Sequence, residues 1–355
     1  MHRLEIALIG FPGSGKTTLW NLLTGNERPT GDYLGRGHVE MGVFMFPDDR
    51  LGRLAATLSS KRQVPFHADV YDVTGLISME GGRASVSDEL LSTVRNADVI
   101  VFVLRAFTSP GHPGGEPKPK KELDSLVDEL HFRDVNLLDT RIHKIEDTVK
   151  KAVPNRDELY EELDLCKKLL PIVESGKRPD LASFTDAQRK KLGGYRLFSL
   201  AKILTFLNTS SETTPGSFAA CGLPVVAYPA ALEAELAGFE GADEAAMRKD
   251  LGLEVPLAKA VTAGLRQALD LIIFFTGSEK ESNAWALRKG DSALEAADTI
   301  HSDIAKGFIR AEVTPVDAII QHGGTQAAKK ANAMREEGKG YVVKDGDYFN
   351  IRFSK

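Results

Sequence analysis

The sequence predicts an α/β protein with a helical insertion and a smaller α+β domain after it, and three observations predict this. Apolar runs of strand length, "LEIALI" (4–9), "ADVIVFVLRAF" (97–107), "LAKILTFLN" (200–208) and "LPVVAYPAA" (223–231), alternate with helical patterns, which implies a parallel sheet covered on both faces. From 122 to 192 no strand-like run occurs. From 272 onward, short alternating strands with Gly and Asp turns replace the long apolar runs. The division is 1–121 with 193–271, an insert over 122–192, and a terminal domain over 272–355. On that division, removing 272–355 is expected to spare the first part.

At 355 residues, 42% hydrophobic and 27% charged, the chain is of globular type and long enough for several domains. No apolar run approaches the roughly 20 residues needed to span a bilayer, and the start reads as a strand rather than a secretion leader. Two cysteines, Cys166 and Cys221, provide no disulfide framework, so the expected setting is a reducing cytoplasm. A net charge of −5 argues against general nucleic-acid coating, and no DNA or membrane partner is expected.

The first strand runs into Gly10-Phe11-Pro12-Gly13-Ser14-Gly15-Lys16-Thr17, which fits G-x-x-x-x-G-K-[ST], with a helix expected over 17–24. Glycines let successive N–H groups turn inward around phosphates, and the helix N-terminus adds its positive end. Lys16 would neutralise the β- and γ-phosphates, and the Thr17 hydroxyl would hold Mg²⁺. The bland alternative is a Gly-rich turn with a solvated lysine, but the strand before and helix after favour the cradle. "FHADVYDVTG" is a strand ending at Asp72, followed by Gly75. The acid would serve the metal shell and the Gly75 N–H would meet the γ-phosphate. Taken alone, that acid reads as a turn cap.

GTP-reading sites carry N-K-x-D at a strand end, whose Asp accepts two guanine N–H groups. Here the strand end is Asn208-Thr209-Ser210-Ser211. A serine hydroxyl does not replace a charged bidentate acceptor, so guanine selectivity is expected to be weak. The stretch also reads as a plain polar loop.

In the insert, Ile142, Ile145 and Val149 repeat on one helix, and Leu159, Leu163, Cys166 and Leu170 on another. Pro154 separates the helices, and Pro171 is expected to end the second. The seam fits an antiparallel hairpin and, less readily, a partner surface. Thr185 with Gln188 predicts a capping box opening a third helix, "TDAQRKKL", stopped by Gly193-Gly194. In the terminal domain, "SALEAADTIHSDIAKG" predicts one amphipathic helix. There, 12 basic and 12 acidic residues from 272 onward favour a localised recognition face over a charge coat. "TSPGHPGGEPKPKKE" (108–122) is a Pro/Gly loop long enough to be mobile or functional.

With these motifs in place, the chain resembles the Obg-like ATPase (YchF) family over most of its length. The likeness rests on the cradle, on "MFPDDRLGRL" (45–54) and "PAALEAEL" (229–236), and most of all on "FFTGSEKESNAWALRKG…ADTIHSDIAKGFIRAEV…YVVKDGDYFNIRF", similar to that family's TGS domain. The resemblance implies a P-loop NTPase with a TRAFAC-type G domain, an inserted coiled-coil hairpin and a C-terminal β-grasp (TGS) domain. It also implies a preference for ATP and a link to ribosomes or stress regulation. Carried over, Pro12, Gly13, Ser14, Gly15, Lys16, Thr17 and Thr18 bind the phosphates, and Thr17 and Asp72 bind Mg²⁺. Asn208 and Thr209 lie at the base, with the loop Ala230-Ala231-Leu232 on its other side. Leu76 stands where many GTPases have a water-positioning glutamine, and the family is thought to recruit a loop histidine instead. His112 is the candidate here, and it reads about equally well as an exposed loop residue.

The chain departs from the family pattern in four places. Gly13 replaces an Asn tied to potassium dependence, and Arg36-Gly37 replaces the first-switch threonine. N-T-S-S with Glu212 replaces N-x-x-E, and "GLISMEGGRASVS" replaces the usual glycine-rich second switch. It reads as a divergent member. The expected function is a slow ATP-hydrolysing switch, with ATP bound at least as well as GTP and ribosome or RNA met through the terminal domain. The alternatives are a nucleotide-sensing protein with negligible hydrolysis, and a GTPase.

Overall fold

The computed structural model describes residues 3–30, 38–74, 77–80, 83–108, 115–151, 153–210, 222–239 and 241–354. The first part is a six-stranded sheet among these residues. Its strands are β1 (Leu4–Ile9), β2 (His38–Met45), β4 (His67–Thr74), β7 (Val99–Ala106), β8 (Lys202–Thr209) and β9 (Val225–Tyr228), in the order β2-β4-β1-β7-β8-β9. All neighbours are parallel except β2, which runs antiparallel to β4 at the edge. The sheet is therefore mixed, not wholly parallel as expected. The segment between β2 and β4 (residues 46–66) carries a helix and a strand that pack on the C-terminal sheet instead of crossing back over this one, so β4 returns beside β2 in the antiparallel sense.

One face is covered by α1 (Lys16–Thr24), α7 (Ala230–Leu236) and α9 (Leu257–Leu269), which bring Leu19, Trp20, Leu236, Val261 and Leu265 onto the strands. The other face is covered by α3 (Asp88–Asn96) and the start of α4 (Pro119–Val149), through Leu91, Val94, Leu123 and Leu126. β7 is buried along its whole length, as its unbroken apolar sequence requires. A short hairpin, β5 (Ile77–Glu80) with β6 (Arg83–Val86), precedes α3, and α8 (Gly241–Asp250) precedes α9.

The insert leaves after β7 and returns before β8. α4 pairs with α5 (Arg156–Glu174) through Ile142, Ile145, Val149, Leu163, Cys166 and Leu169, so the apolar seam is filled within the chain. α4 opens at Pro119, where proline is tolerated in the first turn. α5 runs past Pro171 to Glu174, because a proline so near the end forfeits little of the ladder. α6 (Asp186–Tyr195) has the expected Thr185–Gln188 capping box. It continues through Gly193-Gly194 because the Tyr195 hydroxyl is anchored on Glu162, and the left-handed turn falls at Arg196.

The C-terminal sheet has the order β13-β12-β14-β10-β11-β3. It comprises β3 (Arg62–Val64), β10 (Leu271–Gly277), β11 (Glu281–Arg288), β12 (Phe308–Pro315), β13 (Arg335–Glu337) and β14 (Asp347–Phe353). Parallel β10 and β14 lie between antiparallel partners, the β-grasp arrangement. One face holds α10 (Ala293–Ile300) and α11 (Ser302–Lys306). The expected single helix is split at His301, whose extended backbone and Nδ1, accepting from Asp303 N at 3.1 Å, start a new helix.

The other face holds α12 (Val316–His322), α13 (Thr325–Lys330) and α2 (Asp49–Leu58). α2 belongs by sequence to the first part, yet Leu51 and Leu54 pack with Ile273, Phe275 and Ile319. β3 adds a parallel strand to β11. The boundary expected at 271 thus follows the chain and cuts across the packing.

Candidate functional site

The cradle forms at the C-terminal end of β1. Gly13 and Gly15 have φ of 74° and 94°, the left-handed region where only glycine sits without strain. A Cβ on Gly15 would lie 2.2 Å from Asn208 Nδ2, and one on Gly10 would lie 2.2 Å from the Val103 carbonyl. The motif glycines are therefore demanded by close approach as well as by curvature. Phe11 tucks into the core beside Leu123 and Leu126, which fixes the loop's outer arm.

Lys16 is buried rather than solvated. Its ammonium donates to the Gly10 carbonyl at 2.8 Å and the Phe11 carbonyl at 3.0 Å, bracing the loop it serves. Burial pulls its pKa down to about 8, while the charges of Asp72 and Glu122 work the other way. Ser14 Oγ is buried in the cradle with no hydrogen-bond partner among the described residues, a polar atom left for a ligand.

Thr17 Oγ1 donates to Asp72 Oδ2 at 2.8 Å, so the two residues chosen as metal ligands meet across the gap between α1 and β4. Asp72 is fully buried, and Arg28 Nη1 lies 3.2 Å from the same oxygen. A hydroxyl and a carboxylate side by side are hard oxygen donors. They suit Mg²⁺, which takes few protein ligands and completes its shell with phosphate and water.

At the opposite end Asn208 is buried at the end of β8. Its Nδ2 donates to the Ser14 carbonyl at 3.1 Å and its Oδ1 accepts from Ala230 N at 3.2 Å. One amide thus ties the phosphate loop to the strand ends where a base would lie. Thr209 is buried beside Ala106. The stretch 230–232, expected as a loop, is the first turn of α7: Pro229 precedes it, and "AALEAEL" is rich in helix formers. Ala230 N faces Asn208, Ala231 is exposed, and Leu232 packs partly into the core.

Gly75, Leu76, His112, Ser211, Glu212 and Arg36-Gly37 lie outside the described residues. Arg28, Glu122 and buried Arg105 were missed in the sequence. Each is a lone charge with no motif spacing, recognisable only once the fold brings it to the cradle.

A strand, a glycine-rich turn over a helix N-terminus, a buried lysine and a Thr–Asp pair define a P-loop nucleotide-binding protein. Two family models match: "50S ribosome-binding GTPase" over residues 5–141, and the YchF-GTPase C-terminal domain, described as "Protein of unknown function (DUF933)", over 271–354. The Ribosome-binding ATPase YchF of Escherichia coli O157:H7 is 31% identical, with 99% of each chain covered. The protein of the same name from Bacillus subtilis is 29% identical, again over 99% of each chain. Obg-like ATPase 1 of Oryza sativa subsp. japonica is 28% identical over 99% of this chain and 92% of its own. The solved Schizosaccharomyces pombe YchF GTPase has the same fold, with a TM-score of 0.81 at 23% identity over 99% and 98% of the two chains. The chain belongs to the YchF family.

Proposed function

We propose that this chain is an ATP-binding P-loop hydrolase that acts as a slow switch on the ribosome. Its YchF relatives carry the name ribosome-binding ATPase. The observation that carries the reading is the cradle itself: buried Lys16 braced on Gly10 and Phe11, with Thr17 and Asp72 paired beside it.

When triphosphate binds, Lys16 exchanges its own loop's carbonyls for the β- and γ-phosphate oxygens. The α1 N-terminus and the N–H groups of 13–18 complete the cradle. Thr17 and Asp72 would hold Mg²⁺, which would supply positive charge to offset that of the phosphates. Water attacks the γ-phosphorus in line and ADP leaves, so the protein's work is positioning and charge stabilisation. Asn208, Thr209 and Ala230 border the base. His112 is the proposed residue that orients water, with Gly75 N–H toward the γ-phosphate, and the C-terminal β-grasp domain, a TGS domain in this reading, is the proposed contact to ribosome or RNA.

A GTP-using reading has its own support: the matching model over 5–141 is described as a GTPase, as is the Schizosaccharomyces pombe relative. Calorimetric titration with ATP and GTP, followed by single-turnover hydrolysis, tests both. Tighter ATP binding with slow hydrolysis is expected, and Lys16→Ala is expected to lose roughly 1.5–3 kcal/mol or more of ATP affinity. Unchanged affinity in that variant would remove the cradle assignment. GTP bound about a hundredfold tighter, roughly 2.7 kcal/mol, would replace ATP with GTP.

A further inference from the structure

A second carboxylate stands near the cradle that no motif announces. Glu122 lies in the first turn of α4, and the next residue, Leu123, shares a core cluster with Phe11. Phe11 is the residue whose carbonyl holds the Lys16 ammonium. Glu122 Oε2 is buried and has no hydrogen-bond partner among the described residues. The positive groups around it are Lys16 and Arg105. The latter is a buried guanidinium at the end of β7 that donates to the Gly115 carbonyl at 2.6 Å. Burial pushes the Glu122 carboxyl up, while the Arg105 backbone N–H, the Arg105 charge and the Lys16 charge restrain it.

We propose that Glu122 is a specificity-determining residue of the nucleotide site, whose negative charge opposes the added charge of a γ-phosphate and so narrows the preference for nucleoside triphosphate over diphosphate. The inference rests on the cradle reading above. The argument is one of charge balance. Without ligand, the charges of Asp72 and Glu122 both act on Lys16. When the ammonium turns to phosphate oxygens, the Glu122 carboxyl loses part of its compensation, and it then either stays charged in a poorly solvated place or takes up a proton, both at a cost. Each further phosphate charge raises that cost, because Coulomb terms are large in a partly desolvated place. Asp72 differs: its carboxylate is paired with the Thr17 hydroxyl and Arg28, and serves the metal. Because Glu122 begins the inserted hairpin, the same charge makes the hairpin's first turn sensitive to which nucleotide is bound.

The test is titration calorimetry of the full chain with MgATP and MgADP. Glu122→Gln is expected to raise the ATP-over-ADP affinity ratio about three- to tenfold, on the order of 0.6–1.4 kcal/mol. Glu122→Asp, which keeps the charge, is expected to keep the wild-type ratio. A purely packing role would weaken both ligands together or lower the melting temperature without moving the ratio. If Glu122→Gln does not fold, Glu122→Ala removes the same charge and reads the same ratio. An unchanged or reduced ratio in the neutral variant overturns the proposal. Lys16→Met separates the two readings: if it binds both nucleotides like the wild type, the cradle assignment fails and this inference with it. If it loses both while Glu122→Gln leaves the ratio alone, the cradle stands and only the role of Glu122 is lost.

Discussion

The phosphate cradle and the seam between α2 and the C-terminal sheet are built on opposite plans. The cradle comes from one stretch, Gly10 to Thr18, and is completed by single residues at the ends of β4 and β8. The seam joins residues hundreds of positions apart. Arg50 bonds Asp48 on its own helix cap and reaches Asp345 at 2.8 Å. Arg266 bonds the same carboxylate, and Lys259 meets Asp49 at 2.7 Å. In the cradle the backbone itself makes the shape, so glycines are obligatory and side chains few. In the seam, apolar area and paired charges do the work, and many sequences satisfy it. Local sites of the first kind announce themselves, whereas non-local sites of the second kind leave only ordinary amphipathic patterns.

The strongest way to break the comparison is to cut the chain at 271. If the seam is integral to the first part, the truncated protein bares Leu51, Leu54 and Leu58 and leaves β3 without its sheet neighbour. Burying each such leucine contributes about 1.5–3 kcal/mol. Total stability is about 5–15 kcal/mol, so a melting temperature about 10 °C lower and loss of ATP binding at 37 °C are expected. Calorimetric melting and ATP titration of residues 1–271 check this. Unchanged values would show that the division read from sequence alone was sufficient.

A smaller effect sharpens the cradle side. Asn208→Ala leaves the Ser14 carbonyl and the Ala230 N–H without their shared amide. Unpaired buried groups of this kind cost about 1–3 kcal/mol, and the expected readout is an ATP affinity lowered about tenfold. Equal loss of ATP and of inorganic triphosphate binding would show that Asn208 acts through the phosphate loop. Loss confined to ATP would place its role at the base.

The smallest expected effect is on the seam's charges. Burial alone would raise the Asp345 carboxyl, but hydrogen bonds from Arg50 and Ile273 N, with the Arg266 charge, outweigh it and hold its pKa below the usual 3.8. A depressed folded-state pKa means that the folded protein keeps this carboxylate charged where the unfolded chain binds a proton. Its contribution is therefore complete above the unfolded value and fades as pH falls through the folded one. Asp345→Asn is expected to destabilise by about 1 kcal/mol near neutral pH, discounted for its partial exposure. The gap should close on acidification below pH 4, as read by urea unfolding at several pH values. A gap that does not shrink at all as the pH is lowered from about 5 to about 2 would mean that shape, not charge, holds this corner.

The hairpin shows how far pattern reading reached and where it stopped. Ile142, Ile145 and Val149 lay at helical spacing, and the structure buries them against Leu163 and Cys166 as that spacing requires. Yet Gly193-Gly194 read as a stop and is helical, because the anchored Tyr195 hydroxyl overrides a weak local preference. Asp134, mid-helix and unremarkable in sequence, accepts from the backbone N–H groups of Phe198 and Ser199 and so fixes where the insert rejoins the sheet.

The sequence by itself determined the strand–cradle–helix unit, the glycines at Gly13 and Gly15, the placement of the insert between β7 and β8, and the Thr185 cap. Each depends on backbone conformations and periodicities set by neighbouring residues. Only the tertiary structure decided that Lys16 is buried, that Asn208 bridges the cradle to Ala230, that the charges of Glu122 and Lys16 act on each other, and that α2 and β3 belong to the far sheet. Those outcomes depend on which surfaces of distant elements meet, and burial energy falls off within an atom's width of contact, so nothing in the spacing of residues along the chain encodes them directly.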